Sequence, residues 1–161
     1  MKKMNQVLTR EDLMKELEEL YEKKTREGME CLQKLGDSCA PMITVIDVRR
    51  NEYEIPFDDP YASSEEEVKE EVAAKVKKIL KKKGGLAVIS IGDGWRKNLR
   101  DQSKAVEVFY AIIESMVMKK MKVWKIKRNE TGERIFPLGE PESISKDIPF
   151  SRYTGKYFSV S

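Results

Sequence analysis

The residues best suited to chemistry fall into three groups. Gly92-Asp93-Gly94-Trp95 sets an acidic side chain between two glycines where an apolar segment ends. Glycine lets backbone approach a ligand closely, so a ligand-binding loop or a catalytic acid fits this pattern. A tight turn fits it too, with Asp93 capping backbone amides and Trp95 packed on a sheet edge. Lacking a third glycine or a phosphate-loop lysine, the tetrapeptide matches no nucleotide-binding fingerprint. Asp47, Asp58, Asp59 and Asp93 form a second group, since convergent carboxylates would hold magnesium through oxygen ligands alone. Asp58-Asp59-Pro60 also reads as an ordinary turn, and Asp47 as a partner of Arg49 or a solvent-facing residue.

The third group is the run 119–128, in which lysines alternate with Met121, Val123, Trp124 and Ile126. On a strand, Lys120, Lys122, Trp124, Ile126 and Arg128 share one face. Such a face would meet phosphates while stacking a base on the indole, and Arg96, Lys97 and Arg100 would extend it. The plainer alternative is a half-buried strand with lysines solvated at its edge, where charge also discourages aggregation. Met116, Met118 and Met121 stand close by; adaptable methionines serve partner surfaces and core gaps alike.

Composition limits what such groups can do. The 161 residues include 31 Lys+Arg, 28 Asp+Glu, two Cys and no His. Without histidine there is no Ser-His or Cys-His triad, no His-ligated zinc or haem, and no imidazole pH switch. Cys31 and Cys39 are too few to build a structural zinc site and read as free thiols in a reducing cytosol. The net charge of +3 conceals a local excess, because 95–128 carries 10 basic and 3 acidic residues. Glu- and Lys-rich usage with three Gln is also what a thermophile's ion-paired surface would show, although a Lys/Glu-rich helical protein from a mesophile looks similar. No run reaches the ~20 apolar residues of a membrane span, and no apolar signal segment follows Met1. A cytoplasmic protein with no cofactor, no metal and no membrane contact is expected.

The elements that must position these groups are better specified. Thr9 can cap a helix whose Asp12 reaches back to the Thr9 amide, with Leu8 and Leu13 at the positions of a hydrophobic staple. Leu13, Leu17, Leu20, Tyr21, Cys31, Leu32 and Leu35 continue at helical spacing, and Gly36 suits the C′ position. Gly28 on that stripe marks a close contact or a break. This helix would pack on its own domain or pair with a second copy. Segment 42–49 is β-branched and reads as a strand, with 53–57 returning as a short partner that Pro56 confines to an edge. Ser63 and Glu66 form a second capping box, and Val68, Val72, Val76, Ile79 and Leu80 make that helix's buried stripe. Lys81, Lys82 and Lys83 suit its negative end.

Segment 86–91 is short, apolar and bounded by glycines, as a strand buried on both faces would be. Segment 105–114 fits either a helix or a strand, and its β-branched and aromatic density favours a strand. Segments 122–128 and 134–138 read as a hairpin around Glu130-Thr131-Gly132-Glu133. The order α-β-β-α-β-β-β-β implies one α+β domain over 1–161. It would hold a helical segment at 1–36, a core at 42–140 and an irregular tail at 141–161. The core would be a mostly antiparallel sheet of five or six strands with two helices on one side, one of them long and N-terminal. The functional expectation is a non-catalytic protein acting through protein contacts, as a homo-oligomer or accessory subunit. Nucleic-acid binding through the basic strand is the alternative, and a carboxylate-metal enzyme the third.

Overall fold

The computed structural model describes residues 9–35, 42–55, 66–97, 105–145, 151 and 153–158, with backbone alone at 35, 94–97 and 105. Helix α1 spans Arg10–Leu35. Its capping box forms as the sequence dictates: the Asp12 amide donates to Thr9 Oγ1 at 3.0 Å and the Thr9 amide to Asp12 Oδ2 at 3.3 Å. Strands β1 (Met42–Asp47) and β2 (Glu52–Ile55) make a hairpin. Helix α2 (Glu66–Ile79) ends in a π-helical turn, Leu80–Gly84. Strands β3 (Gly85–Lys97), β4 (Ala105–Ser115), β5 (Lys119–Lys125) and β6 (Glu142–Ile144) complete the chain. This is an α+β fold with one six-stranded antiparallel sheet in the order β2-β1-β3-β4-β5-β6.

The helices do not lie together on one side, as expected above; each covers its own face. On the first face, Leu17, Tyr21 and Leu32 of α1 are fully buried against Ile89, Ile91, Phe109 and Ile113. On the second, Val72, Val76 and Leu80 pack on Ile43, Val45, Ile55 and Val88. The reason lies in β3 and β4. Ala87, Val88, Ile89, Ser90 and Ile91 are all buried, and β4 buries Phe109, Ala111 and Ile113 on one face and Val108 on the other, so each face needs a cover. A fully buried side chain of this kind contributes about 1.5–3 kcal/mol.

Helix α1 lies close to the sheet because Gly28 has no side chain. A Cβ there would stand 2.5 Å from Ile91 Cγ2 and 3.4 Å from Phe109 Cζ, so this glycine marks a close contact and leaves the helix unbroken. Polar contacts fix the helix direction. Arg50, in the β1–β2 turn, donates from Nε to Glu16 Oε1 at 2.6 Å, and the Tyr21 hydroxyl donates to the Ala111 carbonyl at 2.6 Å. Lys24, nearly buried, reaches Glu52 at 2.9 Å and Glu54 at 3.6 Å on β2. Burial opposes its charge, yet these carboxylates outweigh that and hold its pKa above the ordinary lysine value.

Other expectations are corrected by pairing. Gly92-Asp93-Gly94-Trp95 is neither loop nor turn. It lies within β3, whose ladder with β4 continues to Lys97 opposite Ala105, and Gly92 and Gly94 pair with Tyr110 and Val108. The hairpin turn at 130–133 is present, closed by Asn129 and Gly132. Its second arm is no strand, because Phe136 and Leu138 turn into the α1-side core and leave a single bridge, Arg128 to Arg134. The sixth strand falls instead at β6, inside the segment read as an irregular tail. Residues 153–158 of that segment dock as a turn that buries Thr154 and Phe158. No described helix is long and apolar enough to cross a membrane.

Gly28→Ala tests the close approach of α1. The gain in helix propensity, about 1 kcal/mol, should be exceeded by overpacking against Ile91 of about 1–3 kcal/mol, giving a net loss of up to about 2 kcal/mol in chemical denaturation. The alanine's penalty should vanish in an Ile91→Ala background.

Candidate interaction surface

The first candidate, Asp93, is committed to a buried ion cluster. Antiparallel pairing sets Asp93 opposite Phe109 and Trp95 opposite Glu107, so both carboxylates rise from the α1 face near one end of the sheet. Arg134 Nη2 donates to Asp93 Oδ2 and to Glu107 Oε2, each at 2.8 Å, with the Arg134 side chain 1% and the Asp93 side chain 5% exposed. Arg128 grips Glu107 with two bonds of 2.9 Å and donates to the Gly132 carbonyl at 2.6 Å. Burial pushes the Glu107 pKa up, but the two guanidinium groups prevail and hold it below the ordinary glutamate value. Among the described residues, two cations face two carboxylates in this cluster. Its geometry clasps the 126–138 segment to the sheet.

Asp47 is equally committed. It accepts from the Arg49 and Asn51 amides, from Asn51 Nδ2 and from the Tyr53 hydroxyl, at 2.8–3.1 Å. These donors outweigh burial and hold its pKa below the ordinary aspartate value. Asp47 pairs with Gly85, eight residues from Asp93 along β3. At the rise of an extended strand the two lie roughly 27 Å apart. Asp58 and Asp59 lie outside the described residues, among which no three His, Cys, Asp or Glu gather as metal ligands. Glu114, 1% exposed on the second face, accepts from the Ser151 amide and hydroxyl and the Thr154 hydroxyl at 2.6–3.0 Å, which docks the C-terminal turn.

The basic strand has the face expected of it, with a cover on top. Lys120, Lys122 and Trp124 pair with Ile113, Ala111 and Phe109, so all three stand on the α1 side. Both Glu18 oxygens lie 2.7 Å from Lys120 Nζ, Lys122 Nζ lies 5.8 Å from the Tyr21 ring centroid, and Trp124 tilts against Phe109 at 5.4 Å. Arg128 sits in the clasp. Arg100 and the side chains of Trp95, Arg96 and Lys97 lie outside what is described.

A different basic surface is assembled at the opposite end of the sheet, where β3 begins. Lys77, Lys78, Lys81, Lys82 and Lys83 stand exposed on the end of α2 and its π-helical turn. Val48 and Arg49 join them, because the Val48 amide donates to the Gly84 carbonyl at 3.1 Å. Lys156 joins through the C-terminal turn: the Gly85 amide donates to the Tyr157 hydroxyl at 2.8 Å, and Gly155 abuts Lys77. Among the described residues no carboxylate pairs with any of these seven cations. Val48, Met116 and Tyr157, 54%, 63% and 39% exposed, stand at the same end. Met116 follows Ser115, which pairs with Ala87 near the start of β3. Met118 is half-buried against the α1-side core.

Sequence reasoning read the lysines of this end as compensation for a helix dipole. One signal pointed further: the stretch from Val72 to Gly92 holds six lysines and no acidic residue. A helix end carries about half a negative charge, which one lysine offsets. No protein-family model matches the chain, and neither curated proteins nor solved structures give a match.

Arg134→Leu tests the clasp. It leaves Asp93 without this guanidinium and should cost about 3–5 kcal/mol at pH 7. The sign with pH follows from Glu107, whose folded pKa is depressed. Its stabilisation is complete above the unfolded pKa of about 4.3 and fades as the pH falls through the lower folded value. The Arg134→Leu penalty should therefore shrink on acidification below about pH 4, as read by urea denaturation.

Proposed function

We propose that this protein is a non-catalytic binding protein whose partner surface is anionic and docks on the end of the sheet formed by the α2 terminus, the β1–β2 turn and the C-terminal turn. One observation carries the reading: seven exposed cations from three separate segments gather there, none paired with a described carboxylate. The buried groups with the most chemical potential are meanwhile bonded within the chain, as Asp47, Asp93, Glu107, Glu114 and Arg134 all are. Like charges a turn apart on a helix cost several tenths of a kcal/mol per pair. A surface kept in that state favours an oppositely charged partner. A two-fold contact between two copies through this end would set cation against cation, which disfavours this surface as a homodimer interface. The apolar stripe of α1 lies on its own sheet, and its outer face carries charges of both signs. An accessory role toward an anionic macromolecule is therefore the functional conclusion.

The test uses heparin and polyglutamate as generic polyanions with the full chain in low salt. Each should raise the melting temperature by several degrees, and the shift should disappear in Lys78→Glu/Lys82→Glu. These positions are exposed, so the variant alone should melt within about 0.5 kcal/mol of the parent. An equal shift in parent and variant, or none with either polyanion, would reject the reading.

A further inference from the structure

The proposed anionic partner is left unnamed by that reading, and the lysine end carries features that narrow it. From Lys75 to Lys83 every exposed residue is a lysine. The cations are thus compact point charges on flexible stems, one arginine excepted, and lack the planar forks that read base edges or carboxylates bidentately. The segments bearing them are tied together by the Val48 amide to the Gly84 carbonyl and the Gly85 amide to the Tyr157 hydroxyl, so the charges wrap a rim built from a helix end and two turns. Among the described residues the most exposed aromatic ring at this end is Tyr157, which is set edge-on to Phe158 at 5.0 Å, while Tyr53 and Tyr153 are half-buried. Trp124, the ring most suited to stacking a base, is packed on Phe109. A single-strand site needs a series of stacking platforms; a duplex backbone needs spaced cations alone.

Resting on the reading above, we infer that this rim binds the phosphate backbone of duplex nucleic acid without sequence preference, through Lys77, Lys78, Lys81, Lys82 and Lys83 with Arg49 and Lys156 at its borders. The basic strand β5 plays no part, because Lys120 and Lys122 are turned under α1. A protein neutralising Z phosphates releases their counterions, so affinity falls with a log–log salt slope of about −0.9Z. If five to seven cations engage, the slope lies between about −4.5 and −6.3.

The experiment titrates the 161-residue chain into two fluorescein-labelled DNA duplexes of about 20 base pairs and unrelated sequence, by anisotropy from about 50 to about 300 mM KCl. The expected results are equal affinity for both duplexes, a slope in that range, and a loss of about one slope unit for each lysine changed in the series Lys78→Gln, Lys81→Gln, Lys82→Gln. Lys120→Gln should leave both affinity and slope unchanged, with circular dichroism melting confirming that every variant folds. The inference is overturned if Lys120→Gln weakens binding as much as the rim variants, or if the slope does not respond to the rim. It is also overturned if phosphatidylserine vesicles or polyglutamate compete as well as duplex at equal charge; that result leaves the anionic-partner reading standing and names a bilayer or an acidic protein instead. Failure of every polyanion to bind removes both.

Discussion

The register of β3 against β4 is the constraint on which the rest of this structure depends. Eleven consecutive pairs run from Ala87 opposite Ser115 to Lys97 opposite Ala105. Because side chains alternate with a period of two, that one register decides which residues each face presents. It sets Ile91 beside Phe109 under Gly28, and so seats α1. It brings Asp93 and Glu107 to the same face, where Arg134 joins them. It sends Glu114 to the opposite face, where the C-terminal turn finds its acceptor. A slip of one residue would bury the wrong set on both sides at once.

Charge is used in two ways by this chain. Inside, buried charges are held in hydrogen-bonded clusters, by opposite charges in some and by neutral donors in others. Arg134 bridges two acids, Lys24 ties α1 to β2, and Asp47 closes the first hairpin with four donors. Such buried ion pairs add little net stability over well-packed apolar side chains, because desolvation offsets much of the attraction. At the start of β3 the balance is abandoned, and lysines from α2 stand with Arg49 and Lys156 among exposed apolar side chains. Hydrogen-bonded interior charge and exposed cations of one sign set that end of the molecule apart from the rest.

Much of the fold was legible in the sequence. Thr9 and Asp12 announced the start of α1 because a capping box is a local contact between residues three apart. The apolar run at 86–91 announced a central strand, since only a segment covered on both faces can lose its alternation. The strand at 105–115 was ambiguous by propensity, and pairing on both sides decided it. The glycines around Asp93 misled, because a Gly-x-Gly has the same composition in a turn as in a ladder whose cross-strand partners, Tyr110 and Val108, are large. Likewise 134–138 alternates as a strand does, yet Phe136 and Leu138 have a nearby core to enter.

The sequence by itself determined the order of elements as far as β5, the Thr9 cap, the antiparallel α+β class and the absence of any histidine-based chemistry, all of which rest on local spacing and residue type. Only the tertiary structure decided the two-sided placement of the helices, the neutralisation of Asp93 by a residue 41 positions away, and the covering of the basic strand by α1. It also decided that Arg49 and Lys156 join the lysines of α2. Those outcomes depend on contacts between distant segments. Charge is summed along a sequence but acts through space, so the electropositive surface lies at a helix end and two turns, while the most basic segment of the sequence is partly neutralised within the fold.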